Sequence, residues 1–277
     1  MIGRLGGCSW SLRPGSPEEL AGSLKAIGVP GVQLALGPIG AGDWDLNETR
    51  RALDDAGIVL LSGMMETEGE DYSTLDTIRE TGGVRPDAHG DANRAIAERD
   101  AAIAADLGLT HVTFHAGFLP HHADDPLREI MLGRLRGVHD LFAARGVRVA
   151  FETGQESAET LLEVLSDLNR PDAGVNFDPA NMLLYGMGDP IDALRALADH
   201  VVQIHIKDAD PSATSGQWGA ERTAGEGSVD WPRFMEMAKA LPRAVDLVIE
   251  REAGEARAQD IATASELVRG LLEDHAP

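Results

Sequence analysis

Two textures alternate along the chain eight times. Short, β-branched apolar stretches read as strands at Leu5–Trp10, Gly31–Leu36, Val59–Met65, His111–Ala116, Arg148–Thr153, Gly174–Asp178, Val201–Asp208 and Asp246–Arg251. Each is followed by a longer segment rich in Ala, Leu, Glu and Arg, with apolar residues at helical spacing. These helices are expected at Pro17–Ile27, Asn47–Ala56, Ala92–Leu107, Pro126–Arg145, Ser157–Asn169, Pro190–Ala198, Trp231–Ala240 and Ala256–Glu273. Ser16-Pro17 reads as a cap with proline at the first helical position, and Gly57, Gly108 and Gly146 fall where helices should stop. Near-continuous apolar runs such as "VVQIHI" suit parallel strands buried on both faces. Eight strand–helix units predict a closed (β/α)8 barrel as a single domain over residues 1–277. An open doubly wound sheet is the competing architecture, but no GxGxxG follows the first strand, which argues against a dinucleotide site.

Two connections are too long to be simple turns: Glu66–Asp91 after strand three and Ala209–Asp230 after strand seven. Long loops in a compact domain tend to be lids or binding loops.

Charge narrows the partners. The formal net charge is −22, and Lys25, Lys207 and Lys239 are the only lysines. Without a basic cluster, nucleic acid is excluded as a partner. No apolar run is long enough to span a bilayer, and the first residues lack the pattern of a signal peptide, so a cytoplasmic enzyme is expected. The single cysteine, Cys8, agrees, and in a strand it reads as a buried, inert thiol.

In a barrel of this kind the reactive groups gather at the carboxyl ends of the strands. Strand five ("VAFETG") ends at Glu152, and strand six ("VNFDPAN") at Asp178. Strand seven ("VQIHIKD") carries His205, and strand eight ("LVIERE") ends at Glu250. Each alone has a structural explanation: Asp178 before proline is a natural helix cap, and His205 a natural core histidine. Together, three carboxylates on adjacent strand ends would repel one another and suffer desolvation unless a cation sat between them. Three oxygens and one imidazole suit Mn²⁺, Mg²⁺, Co²⁺ or Zn²⁺, with positions left for substrate oxygens. His121 and His122 ("LPHHAD") are adjacent in a loop with no third ligand in view, and read as surface residues.

The motifs "FETG", "NFDPAN", "HIKD", "GEGSVDW" and "VIERE", in this order, resemble the sugar (phosphate) isomerase/epimerase branch of the xylose-isomerase-like TIM barrels. That branch includes ketose 3-epimerases, inosose-processing enzymes and hydroxypyruvate isomerase. The resemblance implies that Glu152, Asp178, His205 and Glu250 bind one divalent metal, manganese foremost, and that Glu152 and Glu250 form the acid/base pair. It implies a small sugar or sugar phosphate as substrate, and a homodimer or homotetramer. Where many epimerases have a substrate-binding histidine three residues after the strand-six aspartate, this chain has Asn181. Where an arginine follows the strand-seven histidine, it has Lys207 or the later Arg222.

The expected chemistry is proton abstraction beside a carbonyl through an enediolate, with one glutamate removing a proton and the other returning one. His115, at the end of strand four, Gln33, Glu66, Glu156, Asn181, Lys207 and Arg222 are the candidate substrate contacts. Trp10 and Trp218 would stack on a sugar or simply pack. The principal alternative is a metal-dependent dehydratase of a keto-cyclitol such as an inosose. An apurinic-endonuclease-like enzyme is disfavoured by the charge and the single histidine of the cluster, and a non-catalytic barrel by the presence of all four ligand types.

Overall fold

The computed structural model describes residues 2–214 and 216–273. The strands are β1 Ile2–Cys8, β2 Gly31–Ala35, β3 Val59–Met64, β4 His111–Phe114, β5 Arg148–Glu152, β6 Gly174–Phe177, β7 Val201–Ile206, β8 Asp208–Asp210, β9 Ala220–Arg222 and β10 Val245–Ile249. Eight of them close into a barrel in the order β1-β10-β7-β6-β5-β4-β3-β2, and β8 and β9 form a separate antiparallel hairpin. The barrel pairings are parallel. The closed (β/α)8 architecture is thus the observed one.

Helices α1 Pro17–Ile27, α2 Gly37–Ala41, α3 Leu46–Ala56, α4 Leu75–Thr81, α5 Gly90–Leu107, α6 Pro126–Ala143, α7 Ala158–Leu168, α8 Pro179–Leu184, α9 Pro190–Leu197, α10 Trp231–Lys239 and α11 Arg257–Glu273 surround the barrel. Side chains alternate along each strand, so every second residue faces the helices and the others face the lumen. The outward set forms the main core: Phe151, Val175, Phe177, Ile204 and Ile206 pack with helix residues such as Phe142 and Phe234. The inward apolar set is small, with Cys8, Leu61 and Val248 as a separate cluster. Much of the remaining lumen is polar, with Gln33, Thr113, Asn176, Gln203 and His205 all fully buried.

The two long connections hold structure that spacing did not reveal. Residues 66–91 contain α4, capped by Thr74 and Thr77 bonding reciprocally. Threonine stands where a capping box normally carries Glu or Gln, which hides the signal. Residues 209–230 contain β9. Strand seven, expected to run to Asp208, leaves the barrel after Ile206, and Asp208 starts the hairpin instead.

Asp208 organises this second connection. Its fully buried carboxylate accepts from the backbone N–H of Ala209 (2.9 Å), Gly225 (2.9 Å), Gly227 (3.1 Å) and Val229 (3.1 Å), and from Trp231 Nε1 (2.8 Å). A Cβ on residue 227 would lie 2.3 Å from Asp208 Oδ1, so only glycine permits this approach. Asp208→Ala would strand several buried donors at once. A loss of about 3 kcal/mol or more is expected in urea unfolding, with early proteolysis inside 209–230. A change below about 1 kcal/mol would contradict this role.

Candidate metal centre

Glu152 is the last residue of β5, Asp178 and Glu250 follow directly on β6 and β10, and His205 lies one residue from the end of β7. One donor atom from each of the four lies within 4.8 Å of the other three. His205 Nδ1 stands 3.4 Å from Glu152 Oε1, 3.6 Å from Asp178 Oδ2 and 3.4 Å from Glu250 Oε2. All four residues are buried.

Asp178 combines the two readings its sequence context allowed. Its Oδ1 caps the six-residue α8 by accepting from Ala180 N (2.8 Å) and Asn181 N (3.0 Å). Its Oδ2 points into the cluster with no hydrogen-bond partner among the described residues, and the same holds for His205 Nδ1. Two buried, unpaired atoms facing each other across converging carboxylates form a strained arrangement that a divalent cation would relieve. The three-oxygen, one-nitrogen donor set fits such an ion.

Without a cation, protons and Lys207 balance the charge. Burial opposes protonation of His205, yet Glu152 and Glu250 hold its imidazole well above the ordinary range. Burial pushes the Glu250 carboxyl up, but Lys207 and His205 outweigh it and keep it well below the usual carboxylate range. Glu152 is likewise held low, against burial, by His115 and His205, whereas burial wins at Asp178 and raises it.

His205 is oriented from below. Its Nε2 lies 2.8 Å from Gln33 Oε1. That oxygen also accepts from Gln203 Nε2 at 2.9 Å, while Gln33 Nε2 donates to Thr113 Oγ1 at 2.7 Å. Gln203 Oε1 in turn accepts from Ser62 Oγ (2.6 Å) and contacts His111 Nε2 (3.2 Å). The Gln33 oxygen, nearer to Nε2 than Asn176 Nδ2 at 3.0 Å, suits a hydrogen on Nε2, so that when the imidazole is neutral Nδ1 faces the carboxylates as the ligand atom. Gln33→Leu is expected to weaken divalent-ion binding by about 10–100-fold in isothermal titration, with Gln33→Glu, which keeps an acceptor, less affected. Equal affinity in Gln33→Leu and the unaltered protein would rule out this orienting role.

The other candidate residues divide between the cavity and elsewhere. A cavity of about 110 Å³ above the cluster is lined by Trp10, Glu66, His115, Glu152 and Glu250, together with Glu70, Tyr72 and Glu252. His115 Nε2 is 3.5 Å from Glu152 Oε1. Asn181 Nδ2 donates to Glu152 Oε1 at 3.0 Å. Gly154, at φ +134°, lets the α8 backbone approach, since a Cβ there would meet Asn181 Cβ at 2.3 Å. Trp10 neither stacks freely nor merely packs: its Nε1 donates to Glu250 Oε1 at 2.8 Å. Lys207 is buried, with Nζ 2.9 Å from Glu250 Oε2 and 2.6 Å from Glu252 Oε2.

Of the candidate substrate contacts, Glu66 and His115 line the cavity, Asn181 and Lys207 touch Glu152 and Glu250 without lining it, and the other three stand apart. Gln33 lies beneath His205, fully buried and off the cavity wall. Arg222 is exposed on β9 and donates to Asp210 Oδ2 at 2.7 Å. Glu156 is buried and not part of the cavity wall, and burial pushes its carboxyl up to about 8. Trp218 packs edge-on against Tyr185 at 4.8 Å. His121 and His122 are exposed, as read from the sequence. The sequence reading overlooked Glu70, Tyr72 and Glu252 on the wall, and Asn176, Gln203 and His111 below it. Asn176 and Gln203 each stand two residues before a cluster residue on the same strand face, a period-two signal that was available.

The family model of xylose isomerase-like TIM barrels matches residues 22–271. The chain belongs to that family. A xylose isomerase domain protein from Planctomyces limnophilus is 32% identical to this xylose isomerase-like barrel and superposes with TM-score 0.86, covering 91% of this chain and 92% of its own. A xylose isomerase-like TIM barrel protein from Mycobacterium smegmatis, solved in complex with magnesium, gives TM-score 0.70 at 17% identity over 99% of this chain and 98% of its own. An L-ribulose 3-epimerase gives 0.73 at 17% identity, with 100% of both chains covered. At such identities these last two likenesses are of fold. Among curated proteins, uncharacterized protein YihM of Escherichia coli strain K12 is 26% identical over 119 residues, which is 43% of this chain and 36% of that protein. No described helix is long and apolar enough to cross a membrane.

Proposed function

We propose that this xylose isomerase-like barrel is a divalent-metal-dependent isomerase or epimerase of a small sugar. The observation that carries this reading is the convergence of Glu152, Asp178, His205 and Glu250 with two buried ligand atoms, Asp178 Oδ2 and His205 Nδ1, that make no hydrogen bond among the described residues. An ion held there would polarise a substrate carbonyl and acidify the neighbouring C–H. Glu152 and Glu250 come from β5 and β10, with β6 and β7 between them around the barrel, which suits two proton-transfer groups working from different sides of one carbon. Asn181 and His115 steady the Glu152 carboxylate, and Trp10 and Lys207 that of Glu250. Neither glutamate has the raised pKa of a strong base, so alignment within a small cavity must supply most of the advantage.

The test has two stages. Protein loaded with Mn²⁺ or Mg²⁺ and desalted should retain about one ion per chain by elemental analysis. The loaded protein is then incubated in D₂O with ketoses and keto-cyclitols. Deuterium entering the carbon beside the carbonyl of an otherwise intact sugar supports isomerase or epimerase chemistry. Loss of water would replace it by dehydratase chemistry, and no retained ion would remove the reading altogether.

A further inference from the structure

We infer that the cavity above the metal cluster is a charge filter, with Glu66, Glu70 and Glu252 as specificity-determining residues that admit uncharged polyhydroxylated carbonyl compounds and exclude phosphorylated or carboxylated ones. This rests on the proposed sugar chemistry for the reaction, but it concerns the wall rather than the cluster.

The argument begins with where the nearby cations point. Lys207, Arg222, Arg251 and Arg257 follow the strand-seven and strand-eight ends, where a phosphate would be met; Arg257 donates to Gly254 O at 3.2 Å and is not on the cavity wall. Lys207 is committed to Glu250 and Glu252. Arg222 turns to Asp210, and Arg251 bonds Glu221 (2.7 Å) and Asp260 (2.9 Å). No lysine or arginine lines the cavity among the described residues. The wall group able to become positive, His115, already faces Glu152.

The wall itself is acidic beyond what a metal needs. A divalent ion would offset two of the charges on Glu152, Asp178 and Glu250, and Lys207 a third. Glu252 and the outer pair Glu66 and Glu70 then remain. Glu70 is held as an acceptor: its Oε1 takes hydrogen bonds from Thr67 Oγ1 (2.8 Å) and Gly83 N (2.9 Å), and its Oε2 from Tyr72 Oη (3.2 Å). Among the described residues no donor bonds Glu66, whose carboxyl is pushed up by burial and the neighbouring Glu70, and it is open to a substrate hydroxyl. Carboxylates accept well from sugar hydroxyls, and Trp10 and Tyr72 add apolar faces suited to C–H surfaces. A phosphate dianion in the same 110 Å³ would face Glu66, Glu70 and Glu252 and find no lysine or arginine on the wall.

The experiment uses Mg²⁺-loaded full-length protein titrated calorimetrically with four probes: a free ketopentose, its 5-phosphate, a free ketohexose and its 6-phosphate, with inorganic phosphate as a fifth. The free sugars are expected to bind about tenfold or more tighter than their phosphates, and inorganic phosphate to leave the heat signal flat. In Glu66→Lys the gap should narrow or reverse while the Mg²⁺ affinity stays as it was, which a general loss of structure would not produce. A phosphate ester that binds as tightly as its free sugar, or a phosphate signal unchanged by Glu66→Lys, would overturn the filter. If none of the sugars binds but inorganic phosphate is also rejected until Glu66→Lys admits it, the sugar reading fails while the filter stands.

Discussion

Asp178→Asn is expected to lower divalent-ion affinity by about 10³-fold or more while leaving the barrel folded. The substitution separates the two oxygens of this side chain. Asparagine is among the best helix caps, so its carbonyl oxygen still accepts from Ala180 N and Asn181 N and α8 keeps its start. The atom lost is Oδ2, which has no hydrogen-bond partner among the described residues and faces His205 Nδ1 at 3.6 Å. Removing a charged ligand from a buried site removes both a bond and the charge that offsets desolvation of the ion. Elemental analysis and calorimetry measure the loss, and circular dichroism checks the fold. A variant that holds its ion as tightly as the unaltered chain would make Asp178 a cap and nothing more.

The same cluster sets a pH dependence. The folded-state pKa of His205 is raised above its unfolded value, so its contribution to apo-protein stability is fully present below about 6.5 and is lost as pH rises through the folded value. An ion competes with that proton for Nδ1. Ion affinity should therefore climb with pH until the raised value is passed, with close to one proton released per ion below it in buffers of different ionisation heat. Glu250 has the opposite sign: its contribution is present above about 4.5 and disappears as pH falls through its depressed value. An ion affinity flat across neutral pH would show that His205 is already unprotonated without metal.

The barrel was legible because its strands are buried on both faces and its helices on one, which leaves a period in the sequence that the fold obeys. The cluster was legible for a related reason. Glu152, Asp178, His205 and Glu250 each interrupt or end an apolar run, and a charged group at the end of a buried strand requires an explanation. The wall was harder to see. Glu70 and Tyr72 reach the cavity only because Glu70 gathers Thr67, Tyr72 and Gly83, contacts within a long connection that carries no periodicity. The position of Arg222 was hidden for the same reason: its distance along the chain from His205 says nothing about a hairpin in which its side chain bonds Asp210. Lys207 shows the limit most sharply. As an isolated cation in "HIKD" it could serve a substrate phosphate, but Glu252, three residues beyond the end of β10, together with Glu250 claims it.

That engagement shapes the second large effect, on catalysis. Glu152→Gln and Glu250→Gln are each expected to reduce turnover by about 10³-fold or more, even with excess divalent ion to compensate for weakened binding. The two should fail differently. Glu250 is kept ionised by Lys207 and bonded by Trp10, while Glu152 sits beside His115 and the amide of Asn181. If they serve opposite sides of the reacting carbon, each variant retains one competent group. It should then still exchange that carbon's hydrogen with D₂O in one substrate isomer while converting neither into the other. Mass spectrometry of recovered substrate and product, run from both directions, reads this asymmetry. Loss of exchange from both isomers in both variants would mean that the glutamates act only through the ion they hold. Unimpaired conversion in either would transfer its proton-handling role to a neighbour, and His115, 3.5 Å from Glu152, is the first to replace in that case.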